Sequence, residues 1–164
     1  MKRALLVTPV LAALLLSACG FRPLYATAEG GGAGLSRMAL TDVSAPDEVA
    51  PIVTRAFERR MRGQEEAALY DLSVKASEQA ERLAVQIDAS VTRYNYRLVA
   101  DYTLVERTTG KRYTGNVISI ASFNVVNSQY STLYAESQAK EKAAAQLVED
   151  IERDVLLKLD AEAK

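Results

Sequence analysis

The amino-acid sequence predicts an α+β fold: a two-layer sandwich in which two helices pack on one face of a four-stranded sheet, in the order β-α-β-β-β-α. Two observations predict it. Two segments repeat their apolar residues at intervals of three and four, as a helix does when it buries one side. Four other segments are short and alternate apolar with polar residues, or are apolar throughout, as strands are. Two helices with one apolar stripe each can cover one face of such a sheet.

The first strand and the first helix follow a glycine-rich segment. Residues 35–43 alternate and are bounded by Gly34 and by the turn at 44–46, so they are predicted to form the first strand. The next segment has acidic residues before its apolar stripe and arginines after it, which suits the helix dipole. Gly63 is predicted to end this helix. The stripe consists of Val49, Ile52, Val53, Ala56 and Phe57.

Three further strands are predicted in the middle of the chain. The first keeps a period of two from Leu69 to Ala76, but its apolar phase has slipped at Leu83. A bulge in one long strand explains the slip, and two shorter strands are the alternative. A turn at 88–90 precedes the clearest strand, and a hairpin turn around Gly110 follows it. The last strand is apolar on both faces, so its orientation is not predicted. The apolar residues of the clearest strand are Tyr94, Tyr96, Leu98, Ala100, Tyr102 and Leu104.

The final helix is predicted at 129–159, with Asn127 or Ser128 as its N-cap. Three acid-first pairs with i, i+4 spacing stabilise a helix and indicate a solvated outer face. These pairs are Glu136–Lys140, Glu149–Arg153 and Asp154–Lys158. The predicted buried stripe is Ala144, Leu147, Val148, Ile151, Val155 and Leu159.

The single cysteine of the chain, Cys19, follows a segment built like a secretory signal. Lys2 and Arg3 precede an apolar run and then small residues, and the run is shorter than the ~20 residues that a membrane-spanning helix needs. Leu16-Ser17-Ala18-Cys19 resembles the bacterial lipobox. That resemblance implies that Cys19 is diacylated on its sulfur, becomes residue one after cleavage, and is then acylated on its amine.

The expected organisation is a signal peptide at 1–18, an acylated N-terminus with a glycine-rich tether at 19–34, and a single domain at 35–164. The tether holds five of the eight glycines of the chain. The fifteen residues that follow Cys19, at 20–34, would span roughly 20 Å on average if flexible. The domain could then lie at a distance from the membrane. A phosphate-cradling loop would need a following Lys and Ser/Thr, which the sequence lacks.

The composition of the chain excludes several classes of function. The formal net charge is −1, and a slightly acidic chain is a poor non-specific ligand for nucleic acid, so no nucleic acid partner is expected. The chain contains no histidine, which excludes Ser-His-Asp and Cys-His triads and removes the commonest metal ligand. Carboxylate pairs and Ser-Lys dyads show no recognisable spacing. We therefore expect no enzymatic activity, no cofactor and no metal.

The lipobox followed by "CGFRPLY", together with the block "SFNVVNSQYSTLYAESQAKEKAAAQLVEDIERDVLLKL", resembles the LPS-assembly lipoprotein family LptE. Ser128-Gln129 departs from the family, whose members often begin this helix with proline; proline there is only a preference. The positions that fit the family pattern are Phe123, Asn127, Leu133, Ala135, Ala143, Ala144 and Ile151.

The resemblance implies a non-enzymatic lipoprotein on the periplasmic side of the outer membrane. It would plug the lumen of an LptD-type β-barrel, help that barrel to assemble, and contact lipopolysaccharide on its way to the cell surface. A barrel of more than ~20 strands has a lumen wide enough for such a plug. The alternatives are another lipoprotein adaptor, such as a secretin pilot or a barrel-assembly accessory, and an envelope enzyme, which the missing histidine disfavours.

Two groups of arginines are candidates for the phosphates of lipid A, since arginine binds phosphate through paired hydrogen bonds. Arg93 and Arg97 share one face of the third strand and a rigid sheet, which favours them. The arginines of the first helix already have a role with the helix dipole. A solvated face without a ligand is the alternative for both groups. The helix group consists of Arg55, Arg59 and Arg62, with Arg60 beside them.

Overall fold

A computed structural model describes residues 35–61, 68–85, 91–125 and 128–162. Several sequence predictions lie outside the described residues: the signal peptide at 1–18, the tether at 19–34 with Cys19, Arg62, Gly63, the turn at 88–90 and Asn127. The remaining predictions can be compared with the structure.

The predicted fold class is confirmed: four strands and two helices follow one another as β-α-β-β-β-α. The four strands form one sheet in the order β1-β2-β3-β4. β1 runs parallel to β2, while β3 is antiparallel to both of its neighbours, β2 and β4. The elements are β1 (Met38–Ser44), α1 (Ala50–Met61), β2 (Tyr70–Val85), β3 (Val91–Glu106), β4 (Arg112–Asn124) and α2 (Gln129–Glu162).

The start of the domain differs from the prediction. Leu35–Arg37 forms a 3₁₀ turn, and the strand begins only at Met38. Leu35 is buried, and its backbone N–H donates to the carboxylate of Glu152 on α2 at 3.4 Å. The first residue of the predicted strand therefore bonds to a helix, while the Arg37 carbonyl accepts a hydrogen bond from Leu69, just before β2. The alternation expected for residues 35–40 does not hold there.

The core lies between the helices and one face of the sheet. Alternate residues of β2 and β3 face it, among them Leu72, Val74, Leu98 and Leu104, as the period of two predicts. The α1 stripe is confirmed, with Val53, Ala56 and Phe57 buried. Each fully buried Val, Leu or Phe side chain stabilises the fold by roughly 1.5–3 kcal/mol. The predicted α2 stripe is buried from Ala144 to Val155, with Leu159 partly buried.

The structure decides which face of β4 points inward. Val117, Ser119 and Ala121 face the helices and are buried. Ile118 and Ile120 point to the uncovered face of the sheet and are 47% and 49% exposed. We call this uncovered side the open face.

The long second strand is confirmed as one element with an irregularity. β2 pairs with β3 along its whole length, and the register shifts around Arg82, Ala84 and Val85. The phase slip in the sequence thus corresponds to an irregularity in one strand, as a bulge would produce. The predicted hairpin turn is also confirmed, because Gly110 has φ of 73°, a left-handed conformation that glycine adopts without steric cost.

Helix α2 begins where one predicted cap would place it. The Ser128 hydroxyl accepts a hydrogen bond from the backbone N–H of Ser131 at 3.3 Å, the geometry of an N-cap. Two predicted pairs form, Glu136–Lys140 at 3.1 Å and Asp154–Lys158 at 2.7 Å. Arg153 binds Asp150 at 2.8 Å, one turn away on the same helix. Among the helices of the described ranges, none has the length and apolar character needed to cross a membrane.

Candidate anion-binding cavity

The two ends of the sheet differ in how tightly they are closed. The hairpin end, where β3 turns into β4, lies under the C-terminal part of α2. At the other end, which we call the open end, the last residues of β4 and the first turns of α2 border an open cavity of about 480 Å³. Its lining consists of Arg93, Ser122, Phe123, Asn124, Tyr134, Ala135, Gln138, Ala139 and Lys142.

The sheet supplies one wall of the cavity. Arg93 lies near the start of β3 and is paired in the ladder with Asn124 of β4. Phe123 points to the helix side and stacks on Tyr94, with ring centroids 5.6 Å apart. A stacked pair of this kind adds roughly 0.5–1.5 kcal/mol to the burial of the two rings. The wall is therefore a fixed part of the sheet.

Helix α2 supplies the other wall. Tyr134, Gln138 and Lys142 are spaced by four residues and so lie on one side of the helix. The first residue of α2 that is buried in the core is Ala139, so the helix extends for more than two turns before it packs on the sheet. This arrangement leaves the space that the cavity occupies.

The mouth region also exposes a small apolar surface. Tyr130, Leu133 and Tyr134 have the i, i+3, i+4 spacing of one helix face. Their side chains are 80%, 59% and 61% exposed. The open end thus combines exposed apolar groups with cations and neutral hydrogen-bonding groups, a combination that suits an amphiphilic anion.

The cations at the open end differ from those elsewhere in the described ranges. Neither Arg93 nor Lys142 forms an ion pair with another described residue. Lys140, only two residues away, binds Glu136 at 3.1 Å and Glu48 at 3.2 Å. Burial opposes the charge of Lys140, but these two carboxylates outweigh it and raise the pKa of the ammonium group. Lys140 is therefore paired, whereas Arg93 and Lys142 have no carboxylate partner among the described residues.

The hairpin end shows what a closed polar cluster looks like in this protein. Lys158 donates to Asp154 at 2.7 Å, to the Thr114 carbonyl at 2.8 Å and to the Tyr102 hydroxyl at 2.9 Å. The Tyr102 hydroxyl in turn donates to Asp154 at 2.5 Å. Burial and then the Asp154 hydrogen bond raise the pKa of Tyr102 to about 12.

Gly115 makes this cluster possible. A Cβ atom at this position would collide with the Tyr102 ring and with the Asp154 carboxylate. The glycine therefore lets both side chains lie directly on β4. The predicted Asp154–Lys158 pair forms, but it contributes to the contact between α2 and the sheet, whereas the sequence indicated a solvated face.

The predicted arginines are distributed over three places. Arg93 lines the cavity. Arg97 lies four residues further along β3, roughly 14 Å away at ~3.4 Å per residue, and is paired with Ile120 and Gln79. Its Nε is buried and has no hydrogen-bond partner among the described residues. Both arginines belong to the open-face set of β3, and only Arg93, near the end of the strand, reaches the lining of the cavity.

The arginines of the first helix lie elsewhere. Arg55 and Arg59 are exposed on α1 and are absent from the lining of the cavity. Arg60 binds the carboxylate of Glu152, with Nε and a terminal nitrogen 2.8 and 2.7 Å from Oε2. Arg60 thus ties the end of α1 to α2.

Lys142 is the cavity residue that sequence reasoning missed. It belongs to none of the acid-first pairs predicted on this helix, and no motif in the sequence marks it. The signal that could have identified it is its spacing of four from Gln138 and of eight from Tyr134. That spacing separates it from the acid-first pairs of the same helix.

No family model and no curated protein matches the chain. Solved structures do match its fold. The crystal structure of a protein provisionally named a lipoprotein, from Caulobacter crescentus CB15, aligns with a TM-score of 0.58 at 21% identity, over 79% of this chain and 95% of that one. The crystal structure of rare lipoprotein B from Shewanella oneidensis aligns with a TM-score of 0.53 at 14% identity, over 76% and 96% of the two chains. At such identities the similarity shows a shared fold.

Proposed function

We propose that the protein is a lipid-anchored outer-membrane protein that binds the phosphates of lipopolysaccharide at the open end and serves an LptD-type barrel as its plug and assembly partner. The observation that carries the proposal is the cavity, which places Arg93 and Lys142 beside exposed aromatic and apolar side chains.

The anchor is supported by the sequence around Cys19. The lipobox residues, the basic start and the apolar run agree with one another, and the two structures that share the fold belong to proteins named as lipoproteins. The Gly-rich segment at 19–34 would link the acylated residue to the domain. Gly20 follows the cysteine, where an aspartate would be the signal for retention in the inner membrane of some bacteria.

Lipopolysaccharide is the ligand proposed for the cavity, for three reasons of chemistry. Lipid A presents clustered phosphates on an apolar body. Arg93 can bind a phosphate through paired hydrogen bonds, and Lys142 can add a second, compact charge. Asn124 and Gln138, which also line the cavity, offer neutral groups to sugar hydroxyls. The exposed Tyr134 and Leu133 lie on the same helix face, where apolar chains could contact them.

The barrel partner rests on the family resemblance and on the mixed polar surface of the sheet. Asn116 and Ser122 expose polar side chains on the open face, which suits the wet lumen of a large barrel. No catalytic step is proposed, since the sequence without histidine offers no recognisable catalytic constellation.

A binding assay tests the ligand. Purified lipopolysaccharide is titrated against the full mature chain and against the double variant Arg93→Ala, Lys142→Ala. We expect the variant to bind at least about tenfold more weakly, which corresponds to ~1.4 kcal/mol. The difference should shrink as salt is raised, because screening weakens exposed charge contacts.

The chain offers a matched control. Arg55→Ala with Arg59→Ala removes the same charge from exposed positions on α1, so it should leave the affinity unchanged. Arg97→Ala removes the other arginine of β3. It should weaken lipopolysaccharide binding less than Arg93→Ala does, because Arg97 lies outside the cavity lining. Equal losses in both double variants would show a non-specific charge effect and overturn the cavity assignment.

An affinity pull-down tests the partner. Tagged protein is isolated from detergent-solubilised outer membrane, and the bound proteins are identified by mass. An LptD-type barrel should be recovered in one-to-one ratio. Recovery of a secretin or of the barrel-assembly machinery instead would support the adaptor alternative. Photo-crosslinkers at exposed positions of the open face, such as Thr114, would then show which surface makes the contact.

Mass spectrometry of the mature protein tests the anchor. The expected N-terminus is Cys19 carrying three acyl chains, or two where the amine stays free. An unmodified Cys19, or cleavage at another residue, would contradict the anchor. Cys19→Ala should leave the domain folded, since the glycine-rich tether separates the anchor from it.

A further inference from the structure

Arg97 lies in the middle of the open face and has no partner there. It belongs to β3, an inner strand of the sheet, and is paired with Gln79 of β2 and Ile120 of β4. Its Nε is shielded from solvent, yet no described residue accepts a hydrogen bond from it. A buried donor without an acceptor destabilises a fold, so this N–H group calls for an explanation.

The neighbouring polar groups of the sheet are already bonded to one another. The side-chain oxygen of Asn95, two residues along β3, accepts a hydrogen bond from the Ser122 hydroxyl at 2.6 Å. In the other direction, Asp101 accepts one from the Asn116 amide at 2.8 Å and lies roughly 14 Å from Arg97, at ~3.4 Å per residue. No carboxylate of the described residues forms an ion pair with Arg97. An acceptor for its Nε is therefore absent from the described part of the open face.

Apolar side chains flank Arg97 on this face. Ile120 lies directly opposite it in the ladder, and Ile118 lies opposite Val99, the next outward residue of β3. The two isoleucines are 47% and 49% exposed, because the helices pack on the other face of the sheet. We call Arg97, Val99, Ile118 and Ile120 the Arg97 patch. The patch lies on a sheet face and outside the lining of the cavity.

Other arginines of the described ranges show how unusual this position is. Arg55 and Arg59 are exposed on α1, where solvent reaches them. Three more arginines have a carboxylate partner. Arg97 combines a shielded Nε with the absence of an ion pair. The three pairs are Arg60–Glu152, Arg107–Asp71 and Arg153–Asp150.

An arginine flanked by apolar side chains is a typical hot spot of a protein–protein interface, since the apolar groups exclude water from the contact. A guanidinium group binds a carboxylate through paired hydrogen bonds. A carboxylate at Arg97 would accept from the shielded Nε–H group and neutralise the charge. A glycolipid headgroup suits the patch less, because Ile118 and Ile120 offer no hydrogen bond to sugar hydroxyls.

We infer that the Arg97 patch docks a protein surface that presents an Asp or Glu side chain within an apolar rim, and that Arg97 binds this carboxylate. The inference rests on the proposed function and names its interface: the surface is the lumen wall of the LptD-type barrel. That wall is the inner face of a sheet, and two sheet faces pack ~10 Å apart. Charge complementarity identifies the occupant, and a single copy of the chain in one barrel satisfies the contact.

Co-purification tests the patch. The tagged full chain is isolated from detergent-solubilised outer membrane as the wild type and as Arg97→Met, which keeps a long side chain and removes its charge and donors. Recovery of the barrel should fall at least about fivefold in Arg97→Met, as for a hot-spot residue. Ile120→Ser should lower the recovery as well. Arg55→Met makes the same chemical change at an exposed position of α1 and should leave the recovery unchanged. Equal losses in both arginine variants would overturn the inference.

The melting temperature of the isolated domain separates an interface role from a structural one. Arg97→Met removes a donor that has no acceptor in the described domain, so its melting temperature should equal or exceed that of the wild type. A structural role for Arg97 predicts a fall instead. A lower melting temperature together with the lower recovery would overturn the inference.

A charge exchange tests the chemistry of the partner. Arg97→Glu should abolish recovery of the barrel. A photo-crosslinker at Ile120 identifies the contacting wall segment by mass spectrometry, and each Asp or Glu of that segment is then replaced with Arg. One such replacement should restore the recovery with Arg97→Glu while it weakens the complex with the wild type. If no replacement restores it, Arg97 does not bind a carboxylate of the wall.

The results distinguish this inference from the proposed function. If the wild type recovers no barrel, the proposed partner fails and the inference fails with it. If the wild type and Arg97→Met recover the barrel equally, the patch fails and the barrel partner stands. If Arg97→Met keeps the barrel but loses lipopolysaccharide binding as far as Arg93→Ala does, Arg97 belongs to the ligand site and the inference is overturned.

Discussion

The two ends of the sheet use the same kinds of residue in opposite ways. At the hairpin end, Lys158 and Asp154 meet over Gly115, and Lys111 binds Glu162 at 2.5 Å. At the open end, Arg93 and Lys142 border a cavity and meet no carboxylate among the described residues. A cation that is paired and packed contributes to the contact between layers, whereas an unpaired cation beside a cavity is available for a ligand.

Substitutions at the two ends of the sheet should therefore change the free energy of unfolding by different amounts. Substitutions at the hairpin end should lower the free energy of unfolding, because the groups there are packed and hydrogen-bonded. Substitutions at the open end should change binding and leave the free energy of unfolding nearly unchanged. Four measurements, from the largest expected effect to the smallest, can contradict or refine this expectation.

The largest effect is expected for Gly115→Val. Its side chain would have to displace the Tyr102 ring and Asp154, and overpacking of this kind costs about 1–3 kcal/mol, here at the upper end. Chemical denaturation measures the loss. Thr114→Val, at the exposed neighbouring position, keeps the carbonyl that Lys158 binds and should change the free energy of unfolding by less than about 0.5 kcal/mol. Similar losses for both variants would mean that the cluster is not the cause.

Tyr102→Phe should come next. It removes a hydroxyl that both Asp154 and Lys158 contact, so two partly buried charges lose a partner, at a cost of about 1–2 kcal/mol. Tyr134→Phe makes the same chemical change at the open end, where the ring is 61% exposed. Thermal unfolding should separate the two variants, and a destabilisation by Tyr134→Phe equal to that of Tyr102→Phe would contradict the distinction between the ends.

The third effect depends on pH. Burial opposes ionisation of Asp154, but hydrogen bonds from Lys158 and Tyr102 outweigh it and lower its pKa below the ordinary 3.8. Lys111 and Tyr113 likewise lower the pKa of Glu162 below 4.5. A lowered folded-state pKa stabilises the fold above the unfolded-state pKa, and that stabilisation is lost as the pH falls through the folded-state value.

The melting temperature should therefore fall as the pH is lowered from about 5 to 3. Asp154→Asn replaces the carboxylate with an amide that does not titrate, so the melting temperature of this variant should fall less steeply with pH. At neutral pH the variant should be less stable than the wild type. Arg93→Ala at the open end should keep the wild-type slope. A slope that is unchanged in Asp154→Asn would rule out this cluster as its source.

The smallest change in stability is expected for the double variant Arg93→Ala, Lys142→Ala. Both side chains lie at the cavity without a carboxylate partner in the described ranges, so the free energy of unfolding should shift by less than about 0.5 kcal/mol. Denaturation measured beside the lipopolysaccharide assay checks this. A loss of more than 1 kcal/mol would show that the open end is structural as well.

Much of the fold could be predicted because its signals are local. The stripe from Val53 to Phe57, the alternation of β3, and the glycine at the hairpin each concern a few neighbouring residues, and burial rewards them directly. Leu35 was predicted wrongly as part of the strand. Its amide bonds to Glu152, which is distant in the sequence, and no local pattern contains that contact.

The candidate site was predicted only in part for a related reason. Arg93 was favoured because it projects from a rigid strand, and it does line the cavity. Its predicted partner Arg97 shares the face but lies outside the lining. Lys142 takes that place, because α2 runs back across the sheet and brings its early turns to the start of β3.

The sequence by itself determined most element types, the class of the fold, a cap at Asn127 or Ser128 and the pattern around Cys19, since periodicity, turn chemistry and short motifs act over a few residues. Only the tertiary structure decided that Ile118 and Ile120 remain uncovered, because both faces of β4 are apolar and packing against the helices buries just one. It also decided which cations are paired: Lys158 contacts Asp154 and Tyr102, while Arg93 and Lys142 both line one cavity. Electrostatic partners depend on distance in space, which the sequence alone does not specify.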